Sequence, residues 1–349
     1  MIRLVCAGEG EYMEIYTSET IKEASEKEWS TLTGPDAIEH SYKWLCTVEE
    51  AGQRDLVYAF VRDHGSLKAA ACCIVMKEKL HIMNFPLLEV RSPFAASQGF
   101  FSVGSAYTQV LLKKLEEIRI EKKTLGYVIL DLPEDQYTYL RPHMSGLSSF
   151  PMMENTYIDL HYADFDQYLE SLEEYAWRSA RMTLNRAKRW KIKTVFTPEL
   201  SQWAHEAHRL QEYTCSAHHD FQWLLPEGFY RALEKNLSHH VELQLFFKDD
   251  ILLASSVVLH TPTACYYRFP GIDPRYRKYQ AYFLMYYEGI RHAFEKNHKR
   301  IYFGLTGYTF KKRIGCKMEP LFGFSKMKNI LFDVGFKTYV SLMRKRKKR

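Results

Sequence analysis

The sequence has no uninterrupted apolar run of the ~18 residues that a membrane-spanning helix requires, so it predicts no transmembrane segment. Residues 1–9 reach the acidic Glu9 too early to resemble a secretory signal peptide. The seven cysteines are scattered along the chain and form no Cys-x-x-Cys pair. This usage is typical of reduced thiols, and we expect a cytoplasmic protein.

Sequence signatures of several enzyme and metal-binding classes are also missing. There is no Gly-x4-Gly-Lys phosphate loop and no Gly-x-Ser-x-Gly nucleophile motif. In the segment 205–208, His-Glu-Ala-His, the histidines are one residue too close for the zinc-protease pattern. The histidine pairs at 218–219 and 239–240 add no such pattern. The sequence therefore predicts no metal site and no permanently bound cofactor.

Positive charge is concentrated at the C-terminal end. The formal net charge is +6, and residues 344–349 are all basic. Without these six residues, 42 basic residues stand against 42 acidic ones, so the rest of the chain is neutral. A block of like charges is typical of a solvated tail. Weak contact of this tail with anionic membrane lipid, or with RNA, is the alternative that we keep.

The order of predicted helices and strands indicates two α/β modules, residues 1–155 and 156–343, followed by the basic tail 344–349. In the first module we expect helices and loops over 14–52, a hairpin of strands 56–62 and 67–76, a loop around Phe85-Pro86, a helix over 104–121 and a strand over 126–132. The second module begins with a strand over 156–160 and a helix that Asp164 caps. Helices over 175–190, 202–218 and 226–237 and a hairpin of strands 241–247 and 251–260 follow. Each module thus predicts a mixed β-sheet flanked by helices, in the α/β (α+β) class.

Residues 264–329 contain a pattern that is suited to binding a phosphate group. A strand over 264–269 leads into the polar loop 270–280, a helix over 281–296, a strand over 300–304 and a basic loop over 306–316. The first N–H groups of a helix are unpaired and lie at the positive end of its dipole. The loop 273–280 before the helix is therefore the predicted binding loop.

Three segments of the second module resemble a known family. They are the Arg-rich stretch 177–187, the turn Gly271-Ile272-Asp273, and the segment that runs from Gly304 to Cys316 with a Gly-x-Thr-x-Tyr-x-x-Lys motif. In this order they resemble the tandem GNAT acyltransferases, the GNAT-superfamily branch that includes the Fem-type peptidoglycan aminoacyl transferases. The resemblance extends weakly over residues 29–132. It implies two tandem GNAT-like domains that move an acyl or aminoacyl group from a thioester or a charged tRNA to an amine.

The phosphate loop departs from the superfamily pattern. That pattern has glycines, which allow close approach of the backbone to a pyrophosphate, whereas Tyr279 stands at the glycine position and Tyr276 at the first position. We therefore expect side chains to contact the donor. The predicted donor-binding residues are Arg275, Arg277, Lys278, Tyr279, Gln280 and Ala281.

Acyl transfer to an amine requires a proton acceptor, support for the developing oxyanion and protonation of the leaving group. The candidate catalytic residues are Asp273, as a base, with Tyr308 and Lys311, and the resemblance places the Lys311 neighbourhood next to the substrate. The candidate substrate-positioning residues are Tyr266, Arg268 and Tyr282. A basic stripe on the helix over 175–190 is a further candidate surface for tRNA or phosphate, formed by Arg178, Arg181, Arg186, Lys188 and Arg189.

The resemblance implies an N-acyltransferase that uses acyl-CoA or a carrier thioester as co-substrate and a small-molecule or peptide amine as acceptor. Two alternatives stay open. A Fem-type transferase would use aminoacyl-tRNA, which the altered glycine loop and the basic stripe favour. A degenerate GNAT pair would be a non-catalytic scaffold, which the missing glycines also favour.

Overall fold

The computed structural model describes residues 3–6, 12–35, 38–52, 55–80 and 83–347. The chain divides into two compact units, one formed by Met1–Glu154 with Glu319–Arg349 and the other by Asn155–Met318. Among the described residues, no helix combines the length and the apolar character needed to cross a bilayer. The six cysteines whose side chains are described carry free, buried thiols. The cytoplasmic location stays a prediction.

Strands and helices are numbered in chain order over the described residues. The strands are β1 (Arg3–Cys6), β2 (Tyr12–Ser18), β3 (Leu56–Asp63), β4 (Ser66–Leu80), β5 (Met83–Val90), β6 (Phe100–Ser102), β7 (Gly126–Pro133), β8 (Ser148–Pro151), β9 (Asn155–Asp159), β10 (Ile192–Thr197), β11 (Val241–Lys248), β12 (Ile251–His260), β13 (Ala264–Ile272), β14 (Arg300–Gly304), β15 (Lys317–Glu319) and β16 (Leu321–Met327). The helices are α1 (Glu26–Thr33), α2 (Tyr42–Glu50), α3 (Ser105–Glu121), α4 (Glu134–Leu140), α5 (Phe165–Glu170), α6 (Glu174–Arg189), α7 (Ala204–His218), α8 (Glu227–Leu237), α9 (Ala281–Glu295), α10 (Tyr308–Arg313) and α11 (Ile330–Lys347).

The first unit is built on a mixed sheet. Within the described residues this sheet has nine strands in the order β1-β2-β3-β4-β5-β7-β16-β8, with β6 paired to β4. β5 and β7 are parallel, and Leu88 pairs with Tyr127 between them. Leu111 and Leu115 of α3 are buried in the same apolar cluster as Ile129 of β7. The predicted helix over 104–121 and strand over 126–132 are thus confirmed, and both contribute side chains to the core of this unit.

Two strands of this sheet lie where the sequence predicts other structure. β2 occupies the start of the segment 14–52, for which helices and loops are predicted, and it pairs with β3. β5 runs through Phe85-Pro86, where a loop is predicted. Proline has no backbone N–H to donate to a neighbouring strand. Pro86 is opposite Lys77 of β4, and the pairing of β5 with β7 begins only at Leu88, so the ladder with β7 does not include the proline.

The predicted second domain, residues 156–343, is wrong at its C-terminal end. β16 pairs with β7 and β8, so residues from Glu319 onward belong to the first unit. α11 follows β16, and its residues Phe336 and Val340 pack against Val128 and Leu130 of β7. Side chains from residue 343 onward, including those of the basic tail 344–349, lie outside the described residues. Contact of this tail with an anionic membrane therefore stays a prediction.

The second unit is built on another mixed sheet. Within the described residues it has seven strands in the order β10-β11-β12-β13-β14-β9-β15, and β13 is parallel to β14. The predicted hairpin is confirmed by β11 and β12. The predicted cap is also confirmed, because the side chain of Asp164 accepts a hydrogen bond from the backbone N–H of Gln167 at the start of α5. The two mixed sheets flanked by helices confirm the predicted fold class.

β13 and β14 pair over a short distance only. Their last parallel pair joins Tyr266 to Tyr302, and β13 then continues beside β12 as far as Ile272. The register with β12 shifts in this part of β13, and Phe269 has a φ of +53°. A bulge of this kind bends the strand that carries it, and β13 then leads through residues 273–280 into α9.

Candidate active site

α9 begins at a turn that leaves its N-terminus open. Asp273 caps the short 3-10 helix Pro274–Tyr279, and Gln280 then adopts a left-handed conformation with a φ of +56°. No side chain caps α9, which starts at Ala281 and runs for 15 residues. Its first N–H groups therefore point into the space before the helix, at the positive end of the helix dipole.

A cavity of about 150 Å³ opens at this helix start. It is lined by Ala176, Ser179, Met182, Thr183 and Arg186 of α6, by Gln280, by Phe283 and Tyr287 of α9, and by Phe310 and Arg313 of α10. The guanidinium of Arg186 donates a hydrogen bond of 2.9 Å to Oε1 of Gln280. Arg186, Arg313 and the helix N-terminus give the cavity a positive potential, which is suited to an anionic group.

One face of α6 forms a wall of the cavity. Ala176, Ser179, Thr183 and Arg186 follow one another at spacings of three or four residues, so they lie on the same side of the helix. Of these four, the sequence analysis names only Arg186. The signal that could have found Ser179 and Thr183 was this helical spacing of small polar residues on an Arg-rich helix.

The predicted binding loop 273–280 reaches the cavity only through Gln280. Arg275 is directed toward Asp273, whose carboxylate accepts hydrogen bonds of 2.9 and 2.6 Å from its guanidinium. Arg277 and Lys278 are exposed and do not line the cavity. Of the predicted donor-binding residues, the structure therefore brings only Gln280 to the lining of the cavity, whose cations come from α6 and α10. Ala281 is buried in the apolar cluster beneath the turn.

The two tyrosines of the loop are packed rather than open to a ligand. Tyr276 and Tyr279 lie against the apolar cluster that contains Ala281 and Leu284, and Tyr279 meets Trp190 edge-on at 5.4 Å between ring centroids. Aromatic rings thus occupy the inside of the turn. A backbone cradle for a pyrophosphate, of the kind that glycines allow, is not available at these positions.

Asp273, the candidate base, is almost fully buried at 1% exposure. Its hydrogen bonds with Arg275 lower the pKa of Asp273, and the guanidinium of Arg209, 3.7 Å away, acts in the same direction. A carboxylate that is held in its charged form is a weak proton acceptor. The contacts support a structural role, in which Asp273 fixes the turn before α9.

Lys311 is buried as well, at 1% exposure. The predicted basic loop that carries it is the short helix α10. Its Nζ donates hydrogen bonds of 2.6 Å to the carbonyl of Phe303 and 3.1 Å to that of Gly304. Burial lowers the pKa of Lys311 to about 7, and the nearby guanidinium of Arg268 acts in the same direction. Lys311 thus faces the end of β14 and loses its proton near neutral pH.

Two of the candidate substrate-positioning residues, Tyr266 and Arg268, lie on β13, and the third, Tyr282, lies in the first turn of α9. Tyr266 stacks on Tyr302 with 4.8 Å between ring centroids, and the buried Arg268 lies 5.4 Å from the ring of Tyr266. The hydroxyl of Tyr282 is 3.0 Å from that of Tyr286.

Gly307 separates Tyr282 from Lys311. A Cβ atom built on Gly307 would lie 3.4 Å from the Tyr282 hydroxyl and 3.9 Å from Cε of Lys311. Tyr308, the first residue of α10, is half-buried. The structure therefore groups Lys311, Arg268 and Tyr282 around the ends of β13 and β14.

Comparison with known proteins gives one family and several similar structures. Residues 175–312 match the family model described as an acetyltransferase (GNAT) domain. The crystal structure of FemX has a TM-score of 0.58 and 14% identity, over 90% of this chain and 98% of FemX. The C-terminal domain of a putative lysylphosphatidylglycerol synthetase from Agrobacterium fabrum has a TM-score of 0.58 and 12% identity, over 90% of this chain and 96% of that domain.

A tandem GNAT protein from the clavulanic acid biosynthesis pathway is also similar. It has a TM-score of 0.56 and 9% identity, over 91% of this chain and 99% of its own. No curated protein sequence matches the chain. At these identities the similar structures describe the fold, and the predicted resemblance is confirmed at that level.

Proposed function

We propose that this chain, which has a GNAT-superfamily, Fem-like fold, transfers an acyl group from an activated donor to an amine. The observation that carries the proposal is the cavity at the open N-terminus of α9, which Arg186 and Arg313 border. The phosphates of an acyl-CoA or of a carrier thioester are anionic handles that suit such a site. A thioester is therefore the first candidate donor.

In the proposed reaction the amine nitrogen attacks the acyl carbonyl carbon and the carbon–sulfur bond of the thioester breaks. Lys311 is the proposed general base that accepts the amine proton, because a lysine with a pKa near 7 is partly neutral at physiological pH. The buried guanidinium of Arg268 is proposed to stabilise the negative charge that develops on the carbonyl oxygen. The hydroxyls of Tyr282 and Tyr308 are the candidates for protonating the departing thiolate.

Aminoacyl-tRNA is the second candidate donor. The packing of Tyr276 and Tyr279 into the turn favours it, because the turn lacks the glycines that would cradle the pyrophosphate of coenzyme A. Most of the basic stripe on α6 is also exposed, including Arg181, Lys188 and Arg189, and exposed cations of this kind contact nucleic-acid phosphates. The acceptor in both cases is a small-molecule or peptide amine.

Thermal unfolding of the full chain with acetyl-CoA, a long-chain acyl-CoA and charged tRNA in separate titrations tests the proposal. A donor at about 100 times its dissociation constant should stabilise the folded protein by about 2.7 kcal/mol. Stabilisation by charged tRNA alone would replace the thioester by the second candidate. If no donor stabilises the protein, the transferase proposal is wrong and the scaffold alternative replaces it.

An Arg186→Ala variant tests whether the anionic phosphates of the donor bind in the cavity. We expect its donor affinity to fall about 10-fold or more, because a hydrogen bond to a charged group contributes about 1.5–3 kcal/mol. Arg231→Ala is the matched control, since Arg231 is an exposed helical arginine paired with Glu227 and does not line the cavity. Equal affinity of the two variants, measured by calorimetry with the donor that stabilises the wild type, would exclude the cavity as the donor site.

A further inference from the structure

A second group of chemically capable side chains lies at the other end of α9. Glu242 of β11 accepts hydrogen bonds through Oε2 from Nε2 of His292 at 2.7 Å and from Nε2 of His260 at 3.1 Å. His260 ends β12 and His292 lies in the last turns of α9. At 1.5 Å per residue, His292 is about 16 Å along the helix axis from Ala281, so this group is separate from the cavity.

We propose that Glu242, His260 and His292 form a binding site for a divalent transition-metal ion, Zn²⁺ foremost. The three ligand atoms all lie within 4.8 Å of one another, and both histidines are buried. Two imidazole nitrogens and one carboxylate oxygen are a donor set that binds Zn²⁺ and leaves a fourth position for water. Imidazole ligands do not suit Mg²⁺ or Ca²⁺, which prefer oxygen atoms.

Each proposed ligand is held by a second polar group, as ligands in metal sites usually are. The other carboxylate oxygen of Glu242, Oε1, accepts a hydrogen bond of 3.0 Å from Lys296. Nδ1 of His260 is hydrogen-bonded to Nε2 of His298 at 2.9 Å.

The ring of His292 is fixed on two sides. Its Nδ1 lies 3.6 Å from a carboxylate oxygen of Glu295, and its ring stacks on Phe196 with 3.6 Å between centroids. The three proposed ligand side chains are therefore each held by a neighbouring group before an ion arrives.

The elements that carry the ligands indicate what the ion does. Glu242 and His260 come from neighbouring strands and His292 from the helix packed on them, so a bound ion ties α9 to β11 and β12. His260 lies 18 positions after Glu242 in the sequence, and His292 lies 50 positions after it. Local spacing in the sequence therefore does not reveal the site. Only closely spaced histidines, at 205 and 208, 218–219 and 239–240, are considered in the sequence analysis, and none of these is a proposed ligand. The sequence therefore predicts no metal site.

Binding of Zn²⁺ and Co²⁺ to the chelator-treated full chain tests the proposal. We expect one equivalent of Zn²⁺ by competition with a chromophoric chelator, a higher unfolding temperature with Zn²⁺, and the visible absorption of four-coordinate Co²⁺ when cobalt is added. Glu242→Gln keeps the shape of the side chain and should weaken Zn²⁺ binding at least about 10-fold. His292→Ala should abolish the cobalt absorption.

His218→Ala is the matched control, because His218 is an exposed helical histidine outside the group. It should bind both ions as the wild type does. Absence of one tightly bound equivalent in the wild type overturns the proposal. Unchanged Zn²⁺ affinity in Glu242→Gln also overturns it, and this isosteric variant decides the question if His292→Ala does not fold. Equal stabilisation by Mg²⁺ and Zn²⁺ would contradict the proposed ligand chemistry.

Discussion

A Gly271→Ala variant should lose about 3 kcal/mol or more of its free energy of unfolding, which is the upper part of the range for overpacked cores. A Cβ atom on Gly271 would lie 2.6 Å from the backbone nitrogen of Gln211 and 2.7 Å from the carbonyl carbon of Leu210. These are backbone atoms of α7, so no side-chain rotation relieves the clash, and α7 would have to move away from β13. Chemical denaturation of the variant and the wild type measures the difference.

Gly228→Ala is the matched control for the same chemical change. Gly228 lies in the first turn of α8, and nothing stands within 4 Å of the position that its Cβ would take. Alanine there should stabilise the protein by about 0.5–1 kcal/mol, because glycine costs more backbone entropy in a helix. If Gly271→Ala were within 1 kcal/mol of the wild type, the close packing of α7 on β13 would be wrong.

The effect of Gly271 should extend to the candidate active site. Gly271 follows the bulge at Phe269 and precedes Asp273 by two residues, and Asp273 caps the turn that leads into α9. A displaced α7 would move this turn, and with it Gln280 at the edge of the cavity. Any Gly271→Ala protein that remains folded should therefore bind the donor less tightly than Gly228→Ala does.

Elements with strong local signals could be predicted from the sequence. The cap at Asp164, the amphipathic α6 and the hairpin of β11 and β12 all follow from residues that are close in the chain. β16 could not be placed in the same way. Its partner β7 lies in the other half of the sequence, and only long-range pairing assigns it to the first sheet.

The turn and the helix start that border the cavity were predictable from the sequence, but the cations that line the cavity were not. The loop 273–280 and the helix start at Ala281 lie where the sequence places them. Which cations point to the helix start depends on side-chain contacts that no local pattern encodes. Arg275 is taken up by the buried Asp273, and the cavity receives Arg186 and Arg313 from other helices instead.

Replacing Lys311 by methionine should remove a pH dependence of stability that the wild type shows. The pKa of Lys311 is about 7 in the folded protein, against an ordinary lysine value of 10.5. Between these values the unfolded chain binds one more proton than the folded chain, so the free energy of unfolding rises with pH, by at most ~1.4 kcal/mol per pH unit. The stability is complete above the unfolded pKa and is lost as pH falls toward the folded one.

Between pH 7 and 8.5 the wild type should therefore gain about 1.5 kcal/mol relative to Lys311→Met, because the contributions of the cysteines and of other titrating groups are common to both proteins and cancel in the difference. Urea denaturation at several pH values measures this gain. Lys312→Met is the control, because Lys312 is the exposed neighbour on the same helix and should keep the wild-type slope. The same slope in Lys311→Met would show that Lys311 is protonated throughout.

If Lys311 accepts the amine proton, turnover of Lys311→Met at pH 8 should also fall about 100-fold or more. If Lys311→Met loses the pH slope but keeps full turnover, the only role left to Lys311 is to donate hydrogen bonds to the carbonyls of Phe303 and Gly304 at the end of β14.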